Sequence, residues 1–235
     1  MKMKKLFAAA AITALALGGA TAIPSAANAE TATPRIIGGG TADFSQVPYA
    51  AKLLLNGQFN CTSEVISSTW VLTAKHCVGG TVSIKVGSAS LTGGTEIASK
   101  RVVSWSGGDL SLVELAQPTN VTPATLGTTT PSVGTSGDIY GWGRTSQNGP
   151  AAANLKTANV RISGTGSDNA GGPAIQFRGV DGSCWKGDSG GPLVVGGKVV
   201  GVASTSSNGG VDPQGLCSYT NVSKGLSWIK SVTGL

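Results

Sequence analysis

An all-β fold is what this sequence predicts, and three observations carry the prediction. Short apolar or alternating runs recur at intervals of roughly ten residues, each closed by turn-forming residues. The composition is rich in turn formers and poor in charge, with 36 glycines, abundant Thr, Ser and Val, and only 12% charged residues. A stretch with two prolines and no apolar pattern, residues 117–123, divides the runs into two halves. The 40% hydrophobic content provides for a buried core and argues against disorder.

The first strand is expected over 49–55 and is closed by Asn56-Gly57, a dipeptide suited to a tight hairpin turn. Residues 65–66 and 70–73 read as the next buried pair, 82–86 alternates with period two, and 110–115 does so in part. Beyond the proline-bearing stretch, strands are expected over 136–140, 156–162, 193–195, 199–203 and 218–222. Only the C-terminus reads as helical. Ser223 is the expected cap, with Leu226, Ile229 and residues 230–232 roughly on one face and Trp228 beside them. Two packed Greek-key barrels fit this pattern, and on periodicity alone a single β-sandwich fits as well.

The first 29 residues are read as a segment outside the fold. Lys2, Lys4 and Lys5 precede an apolar run over 6–17, and Ala27-Asn28-Ala29 presents small residues where a signal peptidase cuts. That run is shorter than the roughly 20 residues a bilayer-spanning helix needs. A secretory signal peptide over 1–29 is therefore expected, with an extracellular product that stays off membranes. Removing its three lysines lowers the formal charge from +6 to +3. So small a charge, with no Lys/Arg run interleaved with aromatics, is no footprint for nucleic acid.

Four cysteines in an exported chain imply two disulfides and allow three pairings. Cys61 and Cys77 are close enough to staple a local loop, which leaves Cys184 to pair with Cys217. A zinc site would need more histidine or paired C-x-x-C spacing, whereas the chain has the single His76, so no metal is expected.

Gly187-Asp188-Ser189-Gly190-Gly191-Pro192 places a serine on a glycine-dense turn, where the backbone can bend sharply and a carbonyl can approach the N–H groups. Taken alone it is also ordinary surface-turn chemistry. It satisfies G-x-S-x-G, the nucleophile elbow of α/β-hydrolases, but there the histidine follows the serine, and His76 precedes Ser189 by more than a hundred residues. His76 ends the apolar run 71–74 and sits beside Cys77, which the first disulfide would fix. Histidine suits base and then acid work near neutrality. Asp109 stands at the mouth of the apolar run 110–115, where a carboxylate is costly unless paired. It reads either as a turn residue after two glycines or as the group that orients an imidazole.

Together, Leu72-Thr73-Ala74-Lys75-His76-Cys77, Asp109-Leu110-Ser111-Leu112, Gly141-Trp142-Gly143 and Gly187-Asp188-Ser189-Gly190-Gly191-Pro192 resemble the signature blocks of trypsin/chymotrypsin-type serine proteases, in that family's order. Arg35-Ile36-Ile37-Gly38-Gly39 is similar to the family's activation site, and the resemblance covers residues 36–235. It implies two packed six-stranded barrels in a chymotrypsin-like arrangement and a secreted serine endopeptidase without cofactor. Its partners would be polypeptide substrates and protein protease inhibitors, and a monomer is expected. His76, Asp109 and Ser189 would form the triad, and the N–H groups of Gly187 and Ser189 an oxyanion hole. Residues 30–35 would be a short propeptide whose removal after Arg35 frees the Ile36 amine to pair with Asp188. Gly182, Ser183, Ser204, Thr205 and Ser206 would line the substrate site.

The sequence also departs from the family. Lys75 replaces a small residue before the histidine, and Thr62-Ser63-Glu64 replaces a glycine-rich stretch. The spacing in Cys184-Trp185-Lys186-Gly187 differs, and Thr205 and Ser206 stand where a Trp-Gly pair is usual. Counting back from Cys184 reaches Gly182, and counting back from Ser189 reaches Ser183, so neither count finds the acid that marks Arg/Lys specificity. Asp181, one position further out, is read as an exposed turn residue that would have to turn inward to serve. An uncharged apolar or aromatic residue before the scissile bond is therefore expected. The competing reading is a catalytically inactive protease-like binding protein, against which stands the presence of all three triad candidates.

Overall fold

The computed structural model describes residues 36–235; the expected signal peptide, residues 30–34 and Arg35 lie outside them. The chain folds as strands β1 (Ile37–Gly38), β2 (Gly40–Thr41), β3 (Ala50–Leu55), β4 (Gln58–Val65), β5 (Trp70–Thr73), β6 (Val82–Val86), β7 (Thr95–Ser104) and β8 (Ser111–Leu115), then β9 (Ser136–Gly141), β10 (Lys156–Ser167), β11 (Pro173–Gly179), β12 (Gly182–Ser183), β13 (Pro192–Val195), β14 (Lys198–Ser206) and β15 (Leu216–Asn221), and ends in helix α1 (Val222–Thr233).

The first barrel closes in the order β3-β4-β5-β8-β7-β6. In the second, β11-β15-β14-β13-β9-β10 form a sheet, and the pairing of β10 with β11 closes it, leaving β2 on the outside of β10. Both are six-stranded and antiparallel, so the barrel reading holds over the sandwich. In the first barrel Leu53, Leu72, Ile84 and Leu112 are fully buried, and register places Leu53 opposite Ile84 and Leu72 opposite Leu112. Each such side chain contributes roughly 1.5–3 kcal/mol of burial. Ile139, Val160, Phe177, Leu193 and Tyr219 fill the second barrel, joined by the fully buried Ile36.

Asn56 and Gly57 both adopt positive φ, 53° and 78°, as a two-residue hairpin turn requires. The segment crossing between barrels runs from the end of β8 to the start of β9, longer than the expected 117–123. Strand β7 was not expected: its sequence, TEIASKRVVS, is largely exposed and lacks alternation, and pairing with β6 and β8 supplies what its pattern does not. The helix cap also differs. Asn221 occupies that position and its side chain accepts from the N–H of Ser223, so Ser223 lies in the first turn. Trp228 of α1 stacks on Trp105 with ring centroids 6.1 Å apart, docking the helix beside the approach to β8.

Two charged residues are buried in the first barrel. The Lys52 ammonium donates to the carbonyls of Ser88, Ser90 and Gly93 at 2.9, 2.7 and 2.9 Å and lies over the Trp142 ring. Burial, then the charge of Lys85, lowers its pKa to about 8. Glu64 is fully buried, and neither carboxyl oxygen has a hydrogen-bond partner among the described residues. Burial pushes its pKa well above the ordinary carboxylate range.

Candidate active site

Strand register brings the first two candidates together. Thr73 of β5 pairs with Ser111 of β8, so His76, three residues beyond the one, meets Asp109, two residues before the other. His76 sits on a 3₁₀ turn, Lys75–Cys77, which the Cys61–Cys77 disulfide ties back to β4. Asp109 holds it twice, with Oδ1 accepting from the His76 backbone N–H at 3.0 Å and Oδ2 lying 2.7 Å from Nδ1. The imidazole is partly exposed, at 30%, while Asp109 is 1% exposed, so one face of the ring is left for other work. Burial alone would raise the pKa of Asp109, but hydrogen bonds from His76 and Ser204 and the charge of His76 together hold it below the ordinary value.

The Ser204 hydroxyl of β14 donates to the same Oδ2 at 2.6 Å, tying the second barrel to the pair. From Ala203, beside Ser204, two backbone bonds lead to the nucleophile candidate: Gly190 N–H donates to Ala203 O, and Ala203 N–H to Gly191 O, at 2.8 and 2.9 Å. Ser189 stands at the head of this turn. Thr62, one of the departures noted above, clasps it from the other barrel. Its N–H donates to Ser189 O at 2.9 Å and its hydroxyl to Gly187 O at 2.9 Å. Gly187 has φ of 99°, a conformation that costs a side-chain-bearing residue dearly. Among the described residues, the N–H groups of Gly187 and Ser189 have no hydrogen-bond acceptor.

Asp188 is buried beneath them. Its Oδ1 accepts from Gly143 N–H and its Oδ2 from Trp185 N–H, both at 2.8 Å. Burial raises its pKa to about 7 despite these two bonds. Ile36 has φ of 43°, an outlier for a β-branched residue. The second disulfide joins Cys184 to Cys217 as expected. The one cluster of potential metal donors among the described residues, Cys61, His76 and Cys77, has both sulfurs committed to the first disulfide.

Next to Ser189 opens a cavity of about 310 Å³, lined by Cys184, Trp185, Lys186, Asp188, Ser189, Ala203, Ser204, Thr205 and Ser206. Ser204, Thr205 and Ser206, expected at the substrate site, are part of this lining. Gly182 and Ser183 do not join this lining: Gly182 pairs with Gly38 of β1, and the buried Ser183 donates its hydroxyl to Gly215 O at 3.0 Å. Sequence reasoning missed Asn208, which reads as a loop residue before Gly209 and Gly210. It is 5% exposed, and its amide donates to Ser183 Oγ and Cys184 O at 3.2 and 2.6 Å. Asp181 is exposed and turned away, its Oδ1 accepting from Asn159 N–H at 2.7 Å. It also missed Trp185 and Lys186 as pocket residues, for which the altered Cys184–Gly187 spacing was the available signal.

The architecture and chain match known proteins over nearly all of this domain. The family model described as Trypsin matches residues 36–229. Serine protease SP24D of Anopheles gambiae is 31% identical over 224 residues, covering 84% of this chain and 80% of that protein. Trypsin of Xenopus laevis is 33% identical over 195 residues, covering 72% and 79%. Among solved structures, neuropsin, a serine protease expressed in the limbic system of mouse brain, aligns with a TM-score of 0.74 at 28% identity, covering 83% of this chain and 98% of that one. This chain belongs to the trypsin family and is a serine endopeptidase of chymotrypsin-like fold.

Proposed function

We propose that the protein is exported, processed after Arg35, and hydrolyses polypeptides through an acyl-enzyme on Ser189. The observation that carries this reading is the double hold of Asp109 on His76, which fixes the Nδ1–H tautomer and leaves Nε2 as the base. Nε2 takes the proton of Ser189 Oγ as that oxygen bonds to the scissile carbonyl carbon. The N–H groups of Gly187 and Ser189 receive the resulting oxyanion. The imidazolium returns the proton to the leaving amine as the C–N bond breaks. Water repeats the sequence to release the acid and restore Ser189. Each oxyanion donor is worth roughly 3 kcal/mol in the transition state.

Cleavage after Arg35 gives the Ile36 ammonium a buried carboxylate to pair with, Asp188, and Ile36 is already sequestered in the second barrel's core. The pocket supports a preference for an uncharged residue before the scissile bond. Its lining carries Lys186, and its one carboxylate, Asp188, is committed to two backbone N–H groups. A serine-directed fluorophosphonate should label Ser189, and Ser189→Ala should lower kcat on the order of 10⁶-fold. Matched substrates should give higher kcat/KM with Phe or Leu than with Arg or Lys. Labelling at another residue, or full activity in Ser189→Ala, would overturn the mechanism, and an Arg preference would overturn the pocket reading alone.

A further inference from the structure

The connection between β10 and β11, residues 168–172, has no part in the chemistry above, yet it contacts both Asp109 of the candidate triad and Ser204, which bonds to Asp109. Asp168 is 7% exposed and all its bonds are made inside the protein. Its Oδ1 accepts from the N–H groups of Ala170 and Gly172 at 2.9 and 2.7 Å, closing its own turn. Its Oδ2 accepts from Thr220 Oγ1 at 2.9 Å and from the backbone N–H of Asp109 at 2.8 Å. The next residue contributes as well. Asn169 N–H donates to Ser204 Oγ at 2.9 Å, which leaves that hydroxyl to donate to Asp109 Oδ2 at 2.6 Å.

The two loops also fit closely. A Cβ on Gly108 would lie 2.7 Å from Asp168 Oδ2, and one on Gly172 would overlap Gly107 O and Gly108 Cα. Closing a turn of this kind takes only a short acceptor, which Asn or Ser supplies without charge. Burying a carboxylate instead is costly, and its second oxygen is spent on the backbone of Asp109.

We propose that Asp168 is a positioning residue for the proteolytic step. It anchors the backbone of Asp109 while the Asn169 amide orients Ser204, so that Asp109 Oδ2 meets His76 in one orientation. Its charge adds to the field that favours the imidazolium. The charged groups around Asp109 are His76, from the connection after β5, and Asp168; β14 and β15 contribute the neutral Ser204 and Thr220. This inference rests on the triad reading above.

The test uses the processed full enzyme. Asp168→Asn turns one acceptor face into a donor and removes the charge. Its kcat should fall about 10-fold with KM little changed, by analogy with the loss of a residue that orients a metal-binding side chain. The acid limb of kcat/KM should move several tenths of a pH unit downward, because a nearby negative charge that favours protonated His76 is gone. Asp168→Ser, which keeps a turn-closing acceptor without charge, should show the same shift and serves if Asp168→Asn does not fold. Thr220→Val removes the other bond to Oδ2 and should lower Tm without moving the acid limb. If the Asp168 variants lower Tm only, or keep wild-type kcat and acid limb, the positioning role is overturned. Should Asp109→Asn itself retain wild-type activity, the triad reading fails rather than the role of Asp168.

Discussion

In the first barrel His76 and Asp109 stand just beyond the ends of two strands that pair with each other, whereas in the second Ser189 stands on the turn that leads into β13, a turn held largely by other segments. The β5–β8 register and the Cys61–Cys77 disulfide bring the first two together within one barrel, and Ser204 and Asp168 of the second then steady Asp109. The turn bearing Ser189 needs partners from elsewhere: Thr62 across the cleft, Ala203 of β14, and Gly143, whose N–H holds the buried Asp188. A group placed by strand register is ready once the sheet forms. A group placed by distant contacts can be withheld until one of them is supplied. The second barrel is therefore where control over activity belongs.

Blocking the processing step probes this contrast most severely. Arg35→Gln should keep the His76–Asp109 pair and lose at least about 10²-fold in activity, the cost of a missing oxyanion donor. Edman sequencing of active wild-type enzyme should begin Ile-Ile-Gly-Gly. The intact chain should also betray Asp188 through pH. Its folded pKa, about 7, is raised by burial above the unfolded carboxylate value, so the folded chain holds the extra proton between about pH 4 and 7. Stability of the intact chain should accordingly fall as pH rises through that window, as urea titrations would show. If the Ile36 ammonium of the processed enzyme pairs with Asp188 as proposed, the carboxylate should stay ionised and that loss should disappear.

Thr62→Val sharpens the comparison with a smaller effect. It deletes the hydroxyl that donates to Gly187 O and accepts from Trp142 N–H. The turn loosens while the base side is untouched, so kcat should drop on the order of 10-fold with an unchanged acid limb, a loss comparable to one net hydrogen bond of about 1.5 kcal/mol. The mildest change is Glu64→Met, which replaces an unpartnered buried acid by an apolar chain of similar length. Stability should rise by about 1–2 kcal/mol at neutral pH, with no effect on kcat. Because the folded pKa of Glu64 is raised, its cost grows as pH rises above the unfolded value, so the variant should also flatten the pH dependence of Tm.

The sequence was most legible where local pattern and tertiary structure agree. Alternation located β6, the Asn56-Gly57 turn located the first hairpin, and the blocks around His76, Asp109 and Ser189 located the cleft. Strand β7 was invisible because its partners lie on either side in the barrel while its own residues face mostly outward. Counting along the chain could not show that Gly182 and Ser183 form β12 and pair with β1. Asp168 and Asn208 were missed for a shared reason: each stands in a glycine-rich stretch that reads as solvent-facing turn, and only the fold buries it.

Lys52 gives the molecule a built-in reporter. Its ammonium is enclosed by three carbonyls from the loop between β6 and β7, out of reach of dissolved electrophiles. Surface lysines acylate at a rate set by the reagent, but Lys52 can react only when that loop lifts from the barrel. Mass-spectrometric counting of its acylation over time thus measures how often that loop opens, while the protein remains otherwise native.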